Sequence, residues 1–166
     1  MKVHLVFACN ESNIIGERGN HPLPWHYSED LKNFKSVTSG GVMLMGRSTF
    51  DSMGVLPNRL HFVLTSNPEE IVHDKVIAKS SLEELMVELE TMGIKEIYVI
   101  GGGGLLNKFM NSANTIYRTL IKNHRLELKD PVVLSPIDMD KYYLFINKRG
   151  VENPNLNFQV FKLRGK

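Results

Sequence analysis

Hydrophobic positions along the chain fall into two alternating patterns. Short continuous apolar runs predict strands over Val3–Cys9, Val42–Met45, Leu60–Thr65, Val76–Ala78, Ile97–Ile100, Thr115–Ile121, Tyr142–Ile146 and Phe158–Leu163. The early runs have no polar alternation, as strands covered on both faces should. The last alternates, with Phe158 and Val160 set against Gln159, Phe161 and Lys162, and reads as an antiparallel edge. Between the runs, apolar residues recur at helical spacing over Glu29–Thr38, Thr49–Met53, Leu82–Met92 and Gly104–Asn111. Ser81 and Glu84 form a capping box before the stripe Leu82, Leu85, Met86 and Leu89, and Gly93 stands where a left-handed C-terminal glycine belongs. That helix carries no candidate chemistry and reads as a crossover. Asn10–Pro24 is polar, with Gly16, Gly19, Pro22 and Pro24, and reads as a long loop of the kind that forms lids. Strands alternating with helices, without repeats or charge blocks, predict one α/β domain over residues 1–166.

Composition narrows the function classes. The chain has 166 residues, and 20 Lys+Arg against 18 Asp+Glu leave a net charge of +2. Such a balance gives no sign of the strong basic patch of a nucleic-acid-binding protein. The single cysteine, Cys9, excludes an internal disulfide and a cysteine-based metal site and fits a reducing compartment. No apolar run approaches the roughly 18 residues of a spanning helix. The N-terminal run is too short for a signal peptide and reads as a buried first strand. The expectation is a soluble cytoplasmic protein with no membrane or nucleic-acid partner and no metal.

Four places carry candidate chemistry. In Leu23-Pro24-Trp25-His26-Tyr27-Ser28-Glu29-Asp30, Ser28 is a good N-cap and places Asp30 in the first helical turn. An aspartate there is ordinarily a response to the helix dipole. Asp30 nevertheless shares its face with Leu31, Phe34 and Val37, a face that should be buried, and a buried carboxylate needs a partner or a task. In Val42-Met43-Leu44-Met45-Gly46-Arg47-Ser48-Thr49-Phe50, a buried strand ends on a glycine and enters a helix beside an arginine. This is either a capped helix with a solvated arginine or an anion cradle. Ile97-Tyr98-Val99-Ile100 runs into Gly101-Gly102-Gly103-Gly104-Leu105-Leu106, and such a glycine run is hard to explain by packing. Its benefit is close backbone approach to a ligand. It matches neither the P-loop nor the full dinucleotide fingerprint. Two strand–glycine–helix units still suit a dinucleotide pyrophosphate. In Leu56-Pro57-Asn58-Arg59 a turn precedes a strand, and Arg59 is ordinary surface charge unless the ligand bears a carboxylate.

No nucleophile elbow and no zinc-protease motif is present. The six histidines, His4, His21, His26, His61, His73 and His124, are scattered and read as structural or surface residues.

Taken together, these places resemble dihydrofolate reductase. The segments that carry the resemblance are Ile14-Ile15-Gly16, Leu23-Pro24-Trp25 through Asp30 to Phe34-Lys35, Met45-Gly46-Arg47-Ser48-Thr49-Phe50, Leu56-Pro57-Asn58-Arg59 and Val99-Ile100-Gly101-Gly102-Gly103. The resemblance implies a three-layer α/β fold, with a mixed, mostly parallel central sheet flanked by helices and an antiparallel C-terminal strand. It implies hydride transfer from NADPH to C6 of dihydrofolate with protonation at N5, a step that supplies one-carbon metabolism and thymidylate synthesis and is a target of antifolates. It implies a monomer acting on small molecules.

The family's roles fall on matching positions. Asp30 would bind the pterin amidine, and Thr119 would support its carboxylate. Trp25 and Leu23 would lie at the loop that closes over nicotinamide. Val6, Ala8, Leu31, Phe34, Met53 and Ile100 would line the substrate pocket, with Lys35 beside it, and Arg59 would clamp the glutamate carboxylate. On the cofactor side, Ala8, Ile15, Gly16 and Ile100 would lie near nicotinamide. Gly46, Arg47, Ser48 and Thr49 would form one phosphate cradle, and Gly102, Gly103, Gly104 and Leu105 the other. Leu64, Thr65 and Ser66 would approach the adenosine end.

The chain departs from the common bacterial pattern in ways that resemble divergent bacteriophage members. The loop before Trp25 is about two residues longer. Gly104 stands where many bacterial members have arginine, and Leu106 where they have tyrosine. Lys129-Asp130-Pro131 is the nearest match to the segment that supports the lid. Two alternatives are a reductase of the same fold acting on a riboflavin precursor, and a non-catalytic nucleotide-binding subunit.

Overall fold

The computed structural model describes residues 1–18, 25–123 and 128–165. Ten strands and four helices follow in the order β1 (Lys2–Asn10), β2 (Ile14–Glu17), α1 (Ser28–Thr38), β3 (Val42–Gly46), α2 (Arg47–Met53), β4 (Leu60–Leu64), β5 (Val76–Lys79), α3 (Leu82–Thr91), β6 (Glu96–Gly101), α4 (Gly103–Phe109), β7 (Thr115–Ile121), β8 (Pro131–Val133), β9 (Tyr142–Arg149) and β10 (Leu156–Leu163). Eight strands form one sheet in the order β5-β4-β3-β6-β1-β7-β10-β9, and β2 and β8 form a separate antiparallel pair. Strands β5 to β7 across that order run parallel, and β10 is antiparallel to both β7 and β9.

The continuous apolar runs have the cause expected of them. In β3, Leu44 packs with Leu5, Val99 and Phe62 on one side of the sheet, while Met43 and Met45 pack with Val63 on the other. Leu85 and Leu89 of α3 are fully buried in the first of these cores. Ser81 caps α3 by accepting from Glu84 N at 3.1 Å, and Gly93 has φ +70°. A third cluster joins Trp25, Ile121 and Leu156 to Ala8, Tyr27 and Phe158, and so fixes the entry to α1.

Four readings change. The segment read as a loop from Asn10 contains β2, which a four-residue strand paired to distant β8 does not announce locally. The C-terminal strand is interior, because β9 lies outside it and is exposed from Tyr143 to Arg149. The polar alternation of β10 instead reflects Gln159, buried where it accepts from Arg118 Nε of β7 at 2.8 Å. Ser28 does not cap α1. Tyr27 holds that position without a side-chain bond, and the Ser28 hydroxyl donates to Glu152 at 3.3 Å. Finally, the helix face bearing Asp30 is only partly covered. Phe34 packs against the methionine cluster, but Leu31 is 59 % exposed.

The edge of the sheet is anchored by Tyr142, fully buried, whose hydroxyl donates to Ala113 O at 2.7 Å. Tyr142→Phe leaves that carbonyl without its partner. The expected loss is about 1–3 kcal/mol of unfolding free energy, read from urea denaturation.

Candidate active site

The site is built around the C-terminal ends of the central strands, where the order of strands reverses about β6 and β1. Gly46 ends β3 and Gly101 ends β6, with Met45 of β3 in register with Gly101. A Cβ on Gly46 would stand 3.6 Å from Gly102 N, so the two glycine junctions adjoin. Gly101 has φ +143°, and a Cβ there would stand 3.0 Å from Thr49 Oγ1. Gly103 abuts β8, since a Cβ would come within 2.5 Å of Val132 Cγ1. By contrast, a Cβ on Gly16, Gly102 or Gly104 would meet nothing within 4 Å, so the backbone there faces open space that a ligand can enter.

Beside this junction, Asp30 projects from the first turn of α1 toward β7. Its Oδ1 accepts from Thr119 Oγ1 at 2.7 Å, across 89 residues of sequence. Burial pushes the carboxyl above the ordinary aspartate range, and the Thr119 hydrogen bond opposes that rise. Among the described residues no cation pairs with it. Val6 of β1 is buried nearby in the strand that also carries Ala8. Ala8 is in register with Thr119.

At the other end of α1 lies a second charge. Arg59 is 7 % exposed, donating from Nε to Pro57 O at 2.9 Å and from Nη1 to Thr38 Oγ1 at 3.2 Å. Thr38 in turn donates to Phe34 O at 2.8 Å. Burial lowers the guanidinium pKa, and among the described residues no carboxylate pairs with it. Eight residues of helix separate Asp30 from Thr38, about 12 Å at the α-helical rise. Between them Phe34, Met53 and Ile100 pack on the methionine cluster, Leu31 stays exposed, and Lys35 points to solvent.

Arg47 is differently disposed. It donates from Nε to Asp51 at 2.9 Å, and from Nη1 to Glu70 at 3.1 Å and Thr65 at 3.2 Å. Asp51 and Glu70 raise its pKa, Asp51 most. A phosphate at this position therefore has to compete with two carboxylates, Asp51 at the local i+4 spacing and Glu70, which nothing in the local motif announces. Ser48 and Ser66 are exposed and Thr49 is partly covered. Leu64 and Leu105 send their side chains into the large core, so only their backbones remain for a ligand.

The end of β2 is tied to the residues just before β8. Glu17 Oε2 accepts from Lys129 N at 2.7 Å and Asp130 N at 3.2 Å. Arg18 pairs with Asp130 at 2.7 Å. Ile15 is half-buried against the large core. Trp25 is 4 % exposed in its own cluster. Leu23, assigned to the lid by resemblance, lies outside the described residues, as do His21 and His124. Of the other histidines, His61 is buried and accepts from Leu56 N at 2.9 Å, and His4 pairs with Glu96. Burial pushes the Cys9 thiol up to about 11, against the opposing charge of Arg118, so it is protonated at neutral pH and not a nucleophile.

The raised carboxyl has a consequence for stability. The native state holds the Asp30 proton more tightly than the unfolded chain, so stability falls as pH rises through the window above the unfolded value of about 4. Asp30→Asn keeps an acceptor for Thr119 and removes the buried charge. It should raise the melting temperature at pH 7, with the gain disappearing as the pH is lowered to about 4. Scanning calorimetry across that range checks both parts.

Comparison with known proteins agrees with this geometry. The family model described as Dihydrofolate reductase matches residues 2–163. Dihydrofolate reductase of Bacillus subtilis (strain 168) is 36 % identical over 126 residues, covering 75 % of this chain and 71 % of the relative. Dihydrofolate reductase type 15 of Escherichia coli is 28 % identical over 163 residues, covering 98 % and 99 %. Among solved structures, dihydrofolate reductase from Enterococcus faecalis complexed with NADP(H) and RAB-propyl superposes with a TM-score of 0.80 at 27 % identity, covering 99 % of this chain and 97 % of that one. No described helix is long and apolar enough to cross a membrane. With its sheet order, its adjoining glycine junctions and its Asp30–Thr119 pair, the chain belongs to the dihydrofolate reductase family.

Proposed function

We propose that the protein reduces 7,8-dihydrofolate to 5,6,7,8-tetrahydrofolate with NADPH, as a monomer in a reducing, cytoplasmic setting. One observation carries the substrate assignment. A half-buried carboxylate and a buried guanidinium, neither paired with an opposite charge among the described residues, stand at the two ends of α1. They ask for a flat ligand with a protonatable amidine at one end and a carboxylate at the other. A riboflavin-precursor substrate has no such tail and would leave Arg59 unneutralised.

The residues then take these roles. Asp30, held by Thr119, accepts hydrogen bonds from the pterin amidine and its negative charge favours a proton on N5. It acts along the ring and not at N5 itself, so water delivers the proton. Val6, Ala8 and Ile100 bound the ring; Leu31, Phe34 and Met53 bound the benzoyl group, and Lys35 stands at its outer rim. Arg59 clamps the α-carboxylate through the fork of its guanidinium. Trp25, and Leu23 by resemblance alone, would belong to a loop that closes over nicotinamide and excludes bulk water.

The open backbone at Gly16, Gly102 and Gly104 fits a dinucleotide, because close approach is available where a side chain would stand. NADPH supplies the hydride that adds to C6. Ile15 and Gly16 would hold its nicotinamide end. Gly46, Ser48, Thr49, Gly103 and the Leu105 backbone would surround its phosphates. Leu64, Thr65 and Ser66 would meet its adenosine end, with Arg47 beside Thr65.

NADPH oxidation that depends on added dihydrofolate tests the activity directly; none would refute it. Asp30→Asn should lower kcat/KM by about 10²-fold or more at neutral pH, and much less in acid, where substrate is already protonated. Arg59→Ala should weaken dihydrofolate binding about 10²-fold and leave an analogue without the glutamate unaffected. Equal losses for both ligands would remove the tail-binding role.

A further inference from the structure

Asp30 is preceded by a residue with a contact set of its own. The Glu29 carboxylate accepts from Val151 N at 2.6 Å through Oε2, and from Glu152 N at 3.1 Å and Asn153 N at 3.0 Å through Oε1. Those three amides lie in the turn between β9 and β10, more than 120 residues away in sequence. An acidic residue in a first turn ordinarily serves its own helix; this one serves another element. The turn answers in kind. Glu152 accepts from Lys32 Nζ at 3.0 Å and from Ser28 Oγ at 3.3 Å, both on α1. Gly150 is buried where the turn wraps the carboxylate, and a Cβ there would stand 2.7 Å from Glu29 Oε1 and 2.4 Å from Asn153 O. Desolvation opposes the Glu29 charge, and the three amides with Lys32 outweigh it and lower the pKa.

The other end of this tie leads back to Asp30. From the turn, β10 runs antiparallel to β7 and puts Phe158 in register with Thr119. Thr119 donates to Asp30. Adjacent residues on a helix point about 100° apart. Glu29 and Asp30 therefore mount one helical turn on two different parts of the same sheet, fixing its rotation as well as its distance.

We propose that Glu29 is a positioning residue for Asp30: by gripping the β9–β10 turn it holds the first turn of α1 where the Asp30 carboxylate meets Thr119. The inference rests on the reading that Asp30 works on the substrate. On other elements, Thr119 bears on the Asp30 proton, and among the described residues no charged side chain of another element pairs with it. On its own helix Glu29 and Lys32 are the nearest charged neighbours in sequence.

The sign of the effect separates positioning from simple charge. If Glu29 acted on Asp30 only through its charge, Glu29→Gln would lower the Asp30 pKa by removing a like charge. If it positions Asp30, Glu29→Gln puts an amide donor against backbone donors, the helix turn loosens, the Thr119 bond weakens, and the Asp30 pKa rises. Gly150→Ala loosens the same grip from the turn while leaving every charge in place. The experiment is a carboxyl ¹³C NMR titration of Asp30 in wild type, Glu29→Gln and Gly150→Ala, with Thr119→Val as reference, alongside kcat/KM for dihydrofolate against pH. We expect both variants to raise the Asp30 pKa in the direction of Thr119→Val. We expect kcat/KM to fall about tenfold at neutral pH, with KM for NADPH within about twofold of wild type. Glu29→Asp, which keeps the charge on a shorter arm, should recover part of the loss and replaces Glu29→Gln if that variant does not fold. An Asp30 titration unchanged or lowered in these variants, even with a reduced melting temperature, would make Glu29 a brace only and overturn the proposal. Absence of dihydrofolate reduction by the wild type would overturn the functional reading instead, and the titration would still decide the role of Glu29.

Discussion

Two desolvated charges, neither with an opposite charge among the described residues, govern the arrangement of the cleft. A carboxylate or guanidinium removed from water is costly unless an opposite charge or several hydrogen bonds replace the lost solvent. Asp30 receives one hydroxyl donor, and Arg59 donates to one carbonyl and one hydroxyl. The fold therefore carries an electrostatic deficit of opposite sign at each end of α1. A ligand of matching polarity removes both deficits at once, so recognition and orientation come from the same interaction. α1 is the rod that fixes the spacing, because Asp30 lies in its first turn and Thr38, which touches Arg59, ends it.

The second requirement is backbone approach, and the sheet topology meets it. Strands β3 and β6 are neighbours although β4, β5 and α3 intervene in sequence. Both end on glycine, and their following helices start side by side. Gly101 has no room for a side chain because Thr49 fills the space, whereas Gly102 and Gly104 have space and nothing in it. The first kind of glycine serves packing and the second leaves a surface for a ligand. A run of four glycines conceals that division of labour in the sequence.

Strands were legible because burial on both faces demands uninterrupted apolar residues, as in Met43-Leu44-Met45. Asp30 was legible for a reason only half right. Its neighbour Phe34 is packed, but Leu31 borders open space, so the carboxylate lies at the margin of a cleft and not on a covered face. What escaped are contacts made across the fold by residues with ordinary local explanations. Glu29 looks like a helix-dipole residue, Arg47 like an uncommitted cation, and Ile14–Glu17 like loop. Their partners, at Val151–Asn153, at Glu70 and at Pro131–Val133, are set by tertiary packing, and no spacing rule connects them.

Strand β8 joins β2 to the start of α4. Val132 bears on Gly103 at the start of α4, and Leu134 N donates to Asn13 O at 2.9 Å just before β2. Ser135 N donates to Asn107 Oδ1 of α4 at 2.9 Å. Above these contacts, Glu17 and Arg18 hold the Lys129–Pro131 backbone. β8 thus contacts the glycine junction and β2 together. Gly104 offers only backbone at the start of α4, and β8 is packed against its neighbour Gly103. The turn between β9 and β10 is tied to α1 in a comparable way, through the Glu29 carboxylate. In both places a segment distant in sequence is held through its backbone amides, Lys129 and Asp130 by Glu17 and Val151–Asn153 by Glu29.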